Sequence, residues 1–501
     1  MKLMSMNDYN PIPEGSSQYP IEFIDARGLI KLREDENRVE IGFTEKAEEC
    51  VKNSLYNFHQ KPVVFIPIDA AELSAFLGNK MGEAAADEKK NIPADDRVLL
   101  DKLANDAPVI NLVNSICIEG IRCGASDIHL ESAGTLRDST GAGELRVRYR
   151  QDGVLRTVRT IEGSRFPAIS SRIKIMANLN ILERRQPQDG RITVTLGNDQ
   201  VDFRVSIVPV AGGESIVLRI LGRKAAGSLE DLGFNQPQLG VLRQLLRMPH
   251  GLILLTGPTG SGKTTTLNAM LRELVSDTVK IITIEDPVEF LMEGVNQIQI
   301  NEQIGLGFDV LLRRVLRQDP NVIMIGEIRD SATAEIALRA ALTGHLVLST
   351  LHTNDTASVI PRLCNMGVEP YLIASVLRGA AAQRLVRRVC PRCAEERQAA
   401  PEEQRLLDAA NIAAQHLYRG RGCPACGHTG FSGRIVAAEL FTCDAGLEEL
   451  ILGGANITAL SAHLRKQGMR TLLEDGLEKA ALGITTIEEV EREIILPGEG
   501  K

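Results

Sequence analysis

Tryptophan is absent from this sequence of 501 residues, and aromatic residues as a whole make up only 4% of it. Single-stranded nucleic acids are commonly held by bases that stack on aromatic side chains, so this scarcity counts against such a partner. An excess of basic residues is missing as well, because the formal net charge is −8. Proteins that bind polyanions are usually basic, although a local basic patch could still exist. We therefore expect no nucleic-acid partner.

Long hydrophobic runs are also missing. No window approaches the ~20 consecutive apolar residues of a membrane-spanning helix. The first residues, "MKLMSMNDYNPIPEG", contain no apolar segment followed by a cleavage site, so we predict no secretory signal. These absences favour a cytoplasmic protein, or one that reaches a membrane through a partner.

The spacing of apolar residues changes along the chain and divides it into segments. Short strands mixed with helices come first and are typical of α+β domains. Apolar runs such as "GLILLTG" and "NVIMIGE" then alternate with helices, as in a parallel sheet that is covered on both faces. The predicted fold class is α/β, with two smaller α+β domains before the core. The predicted segments are a small α+β domain (1–78), a linker (79–106), an α+β domain (107–222), a linker (223–234), the α/β core (235–388), a tetracysteine subdomain (389–434) and a helical C-terminal subdomain (435–501).

A phosphate-binding loop is the most specific motif in the sequence. The stretch "GPTGSGKT" follows an apolar β-run and precedes a helix-forming segment. Its glycines let backbone N–H groups approach phosphate oxygens, and the following helix directs its positive end at the same oxygens. A lysine neutralises phosphate charge and a threonine hydroxyl ligates Mg²⁺ in such loops. The predicted nucleotide-binding residues are Gly257, Pro258, Thr259, Gly260, Ser261, Gly262, Lys263, Thr264 and Thr265.

Two apolar strands end in carboxylates, as a nucleoside triphosphatase requires for its metal and for its attacking water. In "IITIEDPVEF" the apolar strand ends at Glu285, and in "NVIMIGEIRD" the apolar strand ends at Glu327. The carboxyl ends of parallel strands face the crevice where ligands bind. The alternative is that each carboxylate is a solvated strand terminus. Beside a phosphate loop, we predict catalytic roles for Lys263, Glu285 and Glu327.

Two histidines, His345 and His352, bracket the next apolar strand in "TGHLVLSTLHTN". An isolated histidine is more often structural than functional. At the ends of a core strand, however, one of them could sense the γ-phosphate or contact a neighbouring subunit.

Four of the nine cysteines form two CxxC pairs, Cys390 with Cys393 and Cys423 with Cys426. Two such pairs supply four thiolates for one tetrahedral Zn²⁺ ion, and a four-cysteine site is structural because it leaves no open position. The alternatives are redox-active or inert thiols. We predict a zinc site that stiffens an inserted subdomain, in a reducing compartment.

Four motifs in order resemble the secretion ATPases of the type II and type IV pilus superfamily. They are "TGPTGSGKTTTL", "TIEDPVEF", "LRRVLRQDPNVIMIGEIRD" and "TGHLVLSTLHTN", and "GASDIHLE" and "FRVSIVP" resemble the family's upstream domain. The resemblance implies a hexameric motor with a RecA-like core that hydrolyses ATP with Mg²⁺. It also implies that Glu285 activates water and that Glu327 organises the metal.

The resemblance further implies arginines that reach the phosphates. Arg204 and Arg219 belong to the upstream domain, 107–222, which closes over the nucleotide in that family. Arg313 and Arg317 lie in the "LRRVLRQDP" segment and would face the nucleotide or an adjacent subunit. A planar guanidinium suits this task because it contacts phosphate with two N–H groups at once. The alternative for each arginine is an ordinary surface charge.

The tetracysteine insertion resembles the assembly and secretion branch of the family, and the short N-terminal domain looks most like that of type II secretion ATPases. This resemblance implies that residues 1–78 dock on the cytoplasmic part of an inner-membrane platform protein, beside a polytopic platform protein. The protein would then be cytoplasmic and peripheral to the inner membrane. Pilus assembly is the alternative within the family. A nucleic-acid motor and a nucleotide-dependent switch without turnover are alternatives of other classes.

Overall fold

The computed structural model of the chain describes residues 28–34, 38–45, 61–70, 107–133, 143–196, 199–221 and 227–494, with the single positions 24, 47, 52, 55, 59, 72 and 73. The predicted linker 79–106 lies outside the described residues. The chain forms two compact units, Met1–Leu103 and Ala104–Lys501, which we describe in turn.

The first unit contains a three-stranded sheet. Strand β1 (Leu29–Glu34) is antiparallel to β2 (Val39–Phe43), which is parallel to β3 (Val63–Pro67). The apolar side chains of β1 and β2 lie in a small core, where Leu29 and Ile41 are fully buried and Phe43 is partly buried. The apolar run "KPVVFIPI" thus forms a strand, as its sequence predicts. The sequence also favours a helix between β2 and β3, in "TEKAEECVKNSLYNF", but most of that segment lies outside the described residues.

The second unit begins with a six-stranded antiparallel sheet in the order β6-β5-β4-β9-β8-β7. Two helices pack on one of its faces because apolar and polar residues alternate along each strand. The hydroxyl of Tyr149 donates a hydrogen bond of 2.8 Å to the carbonyl of Ile116 and ties the sheet to the first helix. The elements are α1 (Ala107–Arg122), β4 (Asp127–Ala133), β5 (Glu144–Gln151), β6 (Val154–Glu162), α2 (Phe166–Met176), β7 (Gln188–Leu196), β8 (Asp199–Val210) and β9 (Gly213–Leu221).

A seven-stranded sheet in the order β12-β11-β13-β14-β10-β15-β18 forms the centre of this unit. Its first six strands are parallel, and β18 is antiparallel to β15. The strands are β10 (Gly251–Thr256), β11 (Ile281–Glu285), β12 (Val295–Gln299), β13 (Val322–Ile325), β14 (Leu346–Leu351), β15 (Leu377–Val389) and β18 (Phe431–Thr442). Every residue of β10, β11, β13 and β14 is buried because helices cover both faces. The predicted α/β class is confirmed.

The helices of this part connect the strands or follow them. They are α3 (Gln236–Leu246), α4 (Lys263–Leu274), α5 (Phe308–Val315), α6 (Ser331–Leu342), α7 (Val359–Asn365) and α8 (Pro370–Val376). Between β15 and β18 lie the two-stranded sheet of β16 (Ala394–Gln398) and β17 (His416–Gly420) and the helix α9 (Pro401–Ala409). The chain then continues into α10 (Ala445–Leu452), α11 (Ile457–Lys466), α12 (Leu472–Ala481) and α13 (Ile487–Ile494). Within the described ranges, the structure contains no helix of the length and apolarity needed to cross a membrane.

Candidate nucleotide site and metal centre

The predicted phosphate loop lies between β10 and α4 at the carboxyl edge of the parallel sheet. Gly257, Gly260 and Gly262 have φ angles of 144°, 82° and 88°, which glycine adopts without strain. A Cβ atom on Gly257 would lie 2.6 Å from the carbonyl oxygen of Gln383 and 2.7 Å from the Ser261 hydroxyl. The loop therefore requires glycine for its own packing. Its shape leaves backbone N–H groups to line a cradle for an anion.

Lys263 begins α4, with Thr264 and Thr265 in the first turn of the same helix. The side chain of Lys263 is buried, and its Nζ donates hydrogen bonds to the carbonyl oxygens of Gly257 at 2.8 Å and Pro258 at 3.1 Å. Burial lowers the pKa of Lys263 to about 8, although the nearby carboxylate of Glu327 acts in the opposite direction. A cation held under the loop in this way is suited to neutralise phosphate oxygens.

Gln383 on β15 is part of this site, although no motif predicted it. Its fully buried Nε2 donates a hydrogen bond of 2.7 Å to the carbonyl oxygen of Ser261. This bond ties the phosphate loop to the neighbouring strand, because β15 lies directly beside β10. Only the pairing of two strands far apart in sequence reveals the contact.

Parallel pairing of β11 with β13 brings both predicted carboxylates to the edge of the sheet that holds the phosphate loop. Ile284 pairs with Ile325, so Glu285 at the end of β11 lies near Glu327, which follows β13. Glu285 is 3% exposed. Its Oε1 accepts hydrogen bonds from the Thr283 hydroxyl at 2.6 Å and from Gln297 Nε2 at 3.0 Å. Its Oε2 is buried and has no hydrogen-bond partner among the described residues. One oxygen of Glu285 thus remains able to accept a proton.

Glu327 belongs to a charged cluster that includes one of the two predicted histidines. Its Oε1 accepts a hydrogen bond from Arg329 at 2.6 Å, and its Oε2 lies 3.4 Å from Nε2 of His352. Arg329 also lies 3.6 Å from a carboxylate oxygen of Asp286. The hydrogen bond from Arg329 lowers the pKa of Glu327 below its usual range. This carboxylate therefore stays ionised. Asp286 and Arg329 closely follow the two strands that end in these carboxylates, but no catalytic or binding role was predicted for them.

The other histidine does not join this cluster. His345 precedes β14 at the amino edge of the sheet, where its Nδ1 lies 2.9 Å from the carbonyl oxygen of Ala340. The six residues of β14 lie between His345 and His352, and the seven steps along the chain span about 23 Å at 3.3 Å per residue. The structure thus places His345 far from the nucleotide site of its own chain, so its predicted binding role would require a neighbouring subunit.

Arg313 and Arg317 lie on the segment that runs from the carboxyl edge of the sheet to its amino edge. Helix α5 starts with Phe308 at the carboxyl edge of the sheet. Beyond its end, the carbonyl oxygen of Gln318 accepts a hydrogen bond from Lys280, which directly precedes β11 at the amino edge. Arg317 therefore lies near the amino edge, opposite the phosphate loop. Of the two predicted contacts, nucleotide or adjacent subunit, this position favours the second.

Arg204 and Arg219 face each other on neighbouring strands of the antiparallel sheet. The same cross-strand row contains Arg191 on β7, next to Arg204, and Asp127 on β4, next to Arg219. Arg219 Nε donates a hydrogen bond of 2.8 Å to Asp127. Adjacent like charges repel each other. The exposed face of this sheet is therefore suited to bind an anion, and Arg191 is a member of the row that the sequence did not indicate.

Arg219, one of the arginines in this row, is close enough to Glu289 of the core to affect the pKa of that carboxyl group. Desolvation and the carboxylate of Glu285 raise the pKa of Glu289, and Arg219 acts in the opposite direction. Asp152, in the turn between β5 and β6, also accepts a hydrogen bond of 3.0 Å from the backbone N–H of Gly433 at the start of β18. These contacts connect the six-stranded sheet to the seven-stranded one.

The four predicted metal ligands converge at the base of the insertion between β15 and β18. The Sγ atoms are 3.9 Å apart in the pair Cys390–Cys423, 3.9 Å in Cys393–Cys426 and 3.8 Å in Cys423–Cys426. Tetrahedral zinc with Zn–S bonds of about 2.3 Å requires sulfur separations of about 3.8 Å. The backbone N–H of Gly430 also donates a hydrogen bond of 3.3 Å to the Sγ atom of Cys426, and this bond favours the thiolate form of Cys426. The four thiols thus fit a metal ion of this kind.

The sheet topology, the phosphate loop and the two carboxylates at one sheet edge define an α/β ATPase fold. The chain belongs to the family of type II/IV secretion system proteins, whose pattern its residues 102–492 match.

Three known proteins illustrate the similarity. The type II secretion system ATPase E of Vibrio cholerae is 46% identical over 389 residues, which cover 77% of this chain and 76% of the relative. The type IV pilus assembly ATPase PilB of Myxococcus xanthus is 44% identical over 414 residues, which cover 81% of this chain and 71% of the relative. The crystal structure of the pilus retraction motor PilT with bound ADP has a TM-score of 0.52 at 27% identity and covers 77% of this chain and 98% of its own.

Proposed function

We propose that this protein is the ATPase that powers pseudopilus assembly and protein export in type II secretion. The observation that carries the proposal is the convergence of Lys263, Glu285 and Glu327 at one sheet edge, in a chain that is 46% identical to a type II secretion ATPase. Pilus assembly is the second candidate because a pilus assembly ATPase is 44% identical.

The two carboxylates have different environments that suit different tasks. Glu285 keeps one buried oxygen without a partner, so it is the group that accepts a proton from the attacking water. Glu327 stays ionised beside Arg329, so with the Thr264 hydroxyl it is the group that organises Mg²⁺. The metal, when bound, neutralises charge on the phosphate oxygens. Lys263 and the backbone N–H groups of the loop hold the same oxygens in place.

Arginines from outside the core complete this proposed site. Arg204 and Arg219, with Arg191 beside them, contact the phosphates when the segment 107–222 closes over ATP. Arg313 and Arg317 act on the nucleotide of an adjacent subunit in a homohexamer with RecA-like cores. The position of α5, whose end lies at the opposite sheet edge from the phosphate loop, supports this assignment.

The tetracysteine cluster binds Zn²⁺ in this proposal and has a structural role. Four thiolates fill a tetrahedral site and leave no position for a substrate. Residues 1–78 dock on the cytoplasmic part of an inner-membrane platform protein, and a polytopic platform protein receives the motion. The protein then works at the cytoplasmic face of the inner membrane.

The test is Lys263→Ala in the native chromosomal copy, with counts of secreted proteins in the medium and of surface pili. We expect secretion to be lost with pili intact, because the phosphate loop loses its cation. The matched control is Lys466→Ala, which removes an exposed lysine on α11 and should leave secretion intact. Pili lost with secretion intact would favour pilus assembly instead. No effect on either would contradict both candidates.

Two other classes of function are tested with the purified protein. Sustained hydrolysis of ATP that Glu327→Gln abolishes would exclude a switch without turnover. Strong stimulation of hydrolysis by single-stranded DNA would favour a nucleic-acid motor, which the low aromatic content and the net charge of −8 argue against.

A further inference from the structure

The segment that follows His352, residues 353–356, connects β14 to the following helix and is here called the post-histidine loop. Its first residue is tied to the phosphate loop's own strand. The backbone N–H of Thr353 donates a hydrogen bond of 2.8 Å to the hydroxyl of Thr256, the last residue of β10. The post-histidine loop therefore contacts the strand that carries the phosphate loop and directly adjoins His352.

The middle of the post-histidine loop is hydrogen-bonded internally and to β15. The Thr353 hydroxyl donates a hydrogen bond of 2.9 Å to the carbonyl oxygen of Asp355, whose carboxylate in turn accepts one of 2.7 Å from the N–H of Ser358. Arg384, a buried residue of β15, donates to the carbonyl oxygen of Asn354 at 3.2 Å. These bonds tie the backbone from Thr353 to Ser358 into one unit.

The end of the post-histidine loop is held by a buried carboxylate on β18. Glu439 is 5% exposed. Its Oε1 accepts hydrogen bonds from the backbone N–H of Thr356 at 2.6 Å and from the Thr356 hydroxyl at 2.8 Å. Its Oε2 accepts one of 3.2 Å from the N–H of Leu472, the first residue of α12. One side chain thus connects the post-histidine loop to the start of a C-terminal helix.

Burying a carboxylate is costly, so the choice of residue at this position needs a reason. An ionised carboxylate offers only acceptors, and three donors from two separate elements converge on Glu439. A neutral amide would direct its N–H₂ group at one of these donors. The position therefore demands an acceptor that grips the loop and the helix together.

We propose that Glu439 is a positioning residue of the nucleotide site. Through Thr356 it fixes the post-histidine loop and holds His352 against Glu327, and the hydrogen bond from the N–H of Leu472 holds the second oxygen of the carboxylate in place. This inference rests on the proposed ATPase function. It adds a residue that acts on the site from β18 and does not touch the nucleotide.

The test is Glu439→Gln in the full-length protein, with kcat and KM for ATP measured together. We expect kcat to fall about tenfold with KM unchanged. An effect of this size is typical of a residue that orients a site residue without touching the substrate. In the His352→Ala background the same substitution should change kcat by less than about twofold, because residues that act through one another are not additive.

The matched control is Asp475→Asn. Asp475 is likewise a fully buried carboxylate, and it accepts a hydrogen bond of 2.8 Å from the N–H of Ala438, the residue next to Glu439. It does not contact the post-histidine loop. Its other ionic contact is Lys479 at 2.6 Å. We expect Asp475→Asn to lower the thermal stability and leave kcat within about twofold of the wild type.

Other outcomes would overturn the inference. Equal losses of kcat in Glu439→Gln and Asp475→Asn, in proportion to lost stability, would mean that Glu439 is structural. Additive effects of Glu439→Gln and His352→Ala would mean that it does not act through the histidine. If Glu439→Gln does not fold, Thr356→Val removes the hydroxyl's bonds to Glu439 and Met469 but keeps the backbone bond to Glu439. It should show a smaller loss of kcat that disappears in His352→Ala. A wild type that hydrolyses no ATP would instead contradict the proposed function itself.

Discussion

Burial and nearby negative charge have opposite effects on the pKa of Lys263. Its hydrogen bonds go to carbonyl oxygens of the loop, and burial lowers its pKa to about 8. Phosphates beside the nitrogen favour its charged form, so nucleotide binding raises the pKa again. The free protein loses this proton as the pH rises through about 8, whereas the bound protein keeps it. We predict that nucleotide binding takes up about half a proton per site at about pH 8 and weakens at higher pH.

Calorimetry in buffers of different ionisation enthalpy measures this proton uptake. At about pH 6 the lysine is charged in both states, so its contribution to the buffer dependence should vanish. Lys263→Arg is the matched variant, because a guanidinium keeps its charge at pH 8. Proton uptake that persists in Lys263→Arg, or that is equal at both pH values, would contradict the prediction.

Residues next to a recognisable motif could be predicted from the sequence, and residues that join the site through tertiary contacts could not. The phosphate loop, Glu285 and Glu327 follow apolar strands directly, and parallel pairing then brings them to one edge. Gln383 and Glu439 reach the site from β15 and β18, more than a hundred residues after the loop. Their contacts depend on strand order, which no local pattern encodes.

At the scale of elements, β15 illustrates a conflict between local propensity and tertiary structure. Its sequence "LRGAAAQRLVRRV" is rich in alanine and arginine, which favour helices. It nevertheless forms a strand of 13 residues because it fills the position between β10 and β18. Its small residues suit that place, since a Cβ on Gly379 would lie 2.4 Å from the carbonyl oxygen of Phe441. The β-branched strands of the core were predictable, whereas this strand was not.

The insertion between β15 and β18 fully buries few apolar side chains of its own, and these pack against α12 and α13. Between Cys393 and Cys423, the fully buried apolar side chains are those of Leu407 and Leu417. We predict that removal of the metal, or Cys393→Ser, unfolds residues 390–430 locally and leaves the parallel sheet folded, because metal binding supplies the folding free energy of such modules. Hydrogen exchange should lose protection in this segment alone, and nucleotide binding should persist.

The matched control for this substitution is Cys123→Ser, which changes an exposed cysteine outside the cluster and should retain both the metal and the exchange pattern. Metal content per chain, measured on the same samples, links the exchange result to zinc. Loss of protection throughout the parallel sheet would show that the insertion is part of the core. A wild type purified without metal and with full protection would exclude a structural metal.

At the scale of the whole molecule, the two edges of the parallel sheet present different chemistry. The carboxyl edge holds the phosphate loop, both carboxylates and His352, whereas Arg317 and His345 lie at the amino edge. Their order in sequence could be predicted from motifs, but their separation follows from strand direction. A residue at the amino edge can act on a nucleotide only if another subunit brings its own carboxyl edge there. Such a head-to-tail contact closes into a ring when the rotation between neighbouring subunits permits it.

This arrangement predicts complementation between two inactive variants. Arg317→Ala should lower hydrolysis by about a thousandfold or more, the value typical of an arginine supplied by a neighbour. Lys263→Ala should abolish it. In rings mixed at equal amounts, about a quarter of the interfaces pair an intact loop with an intact arginine, so about a quarter of the wild-type rate should return.

The control mixture of Lys263→Ala with Glu327→Gln should stay inactive, because both substitutions damage the same edge of each chain. No recovery in mixed rings, verified by co-purification of differently tagged chains, would mean that Arg317 acts within its own chain. Normal hydrolysis by Arg317→Ala alone would make it an ordinary surface charge.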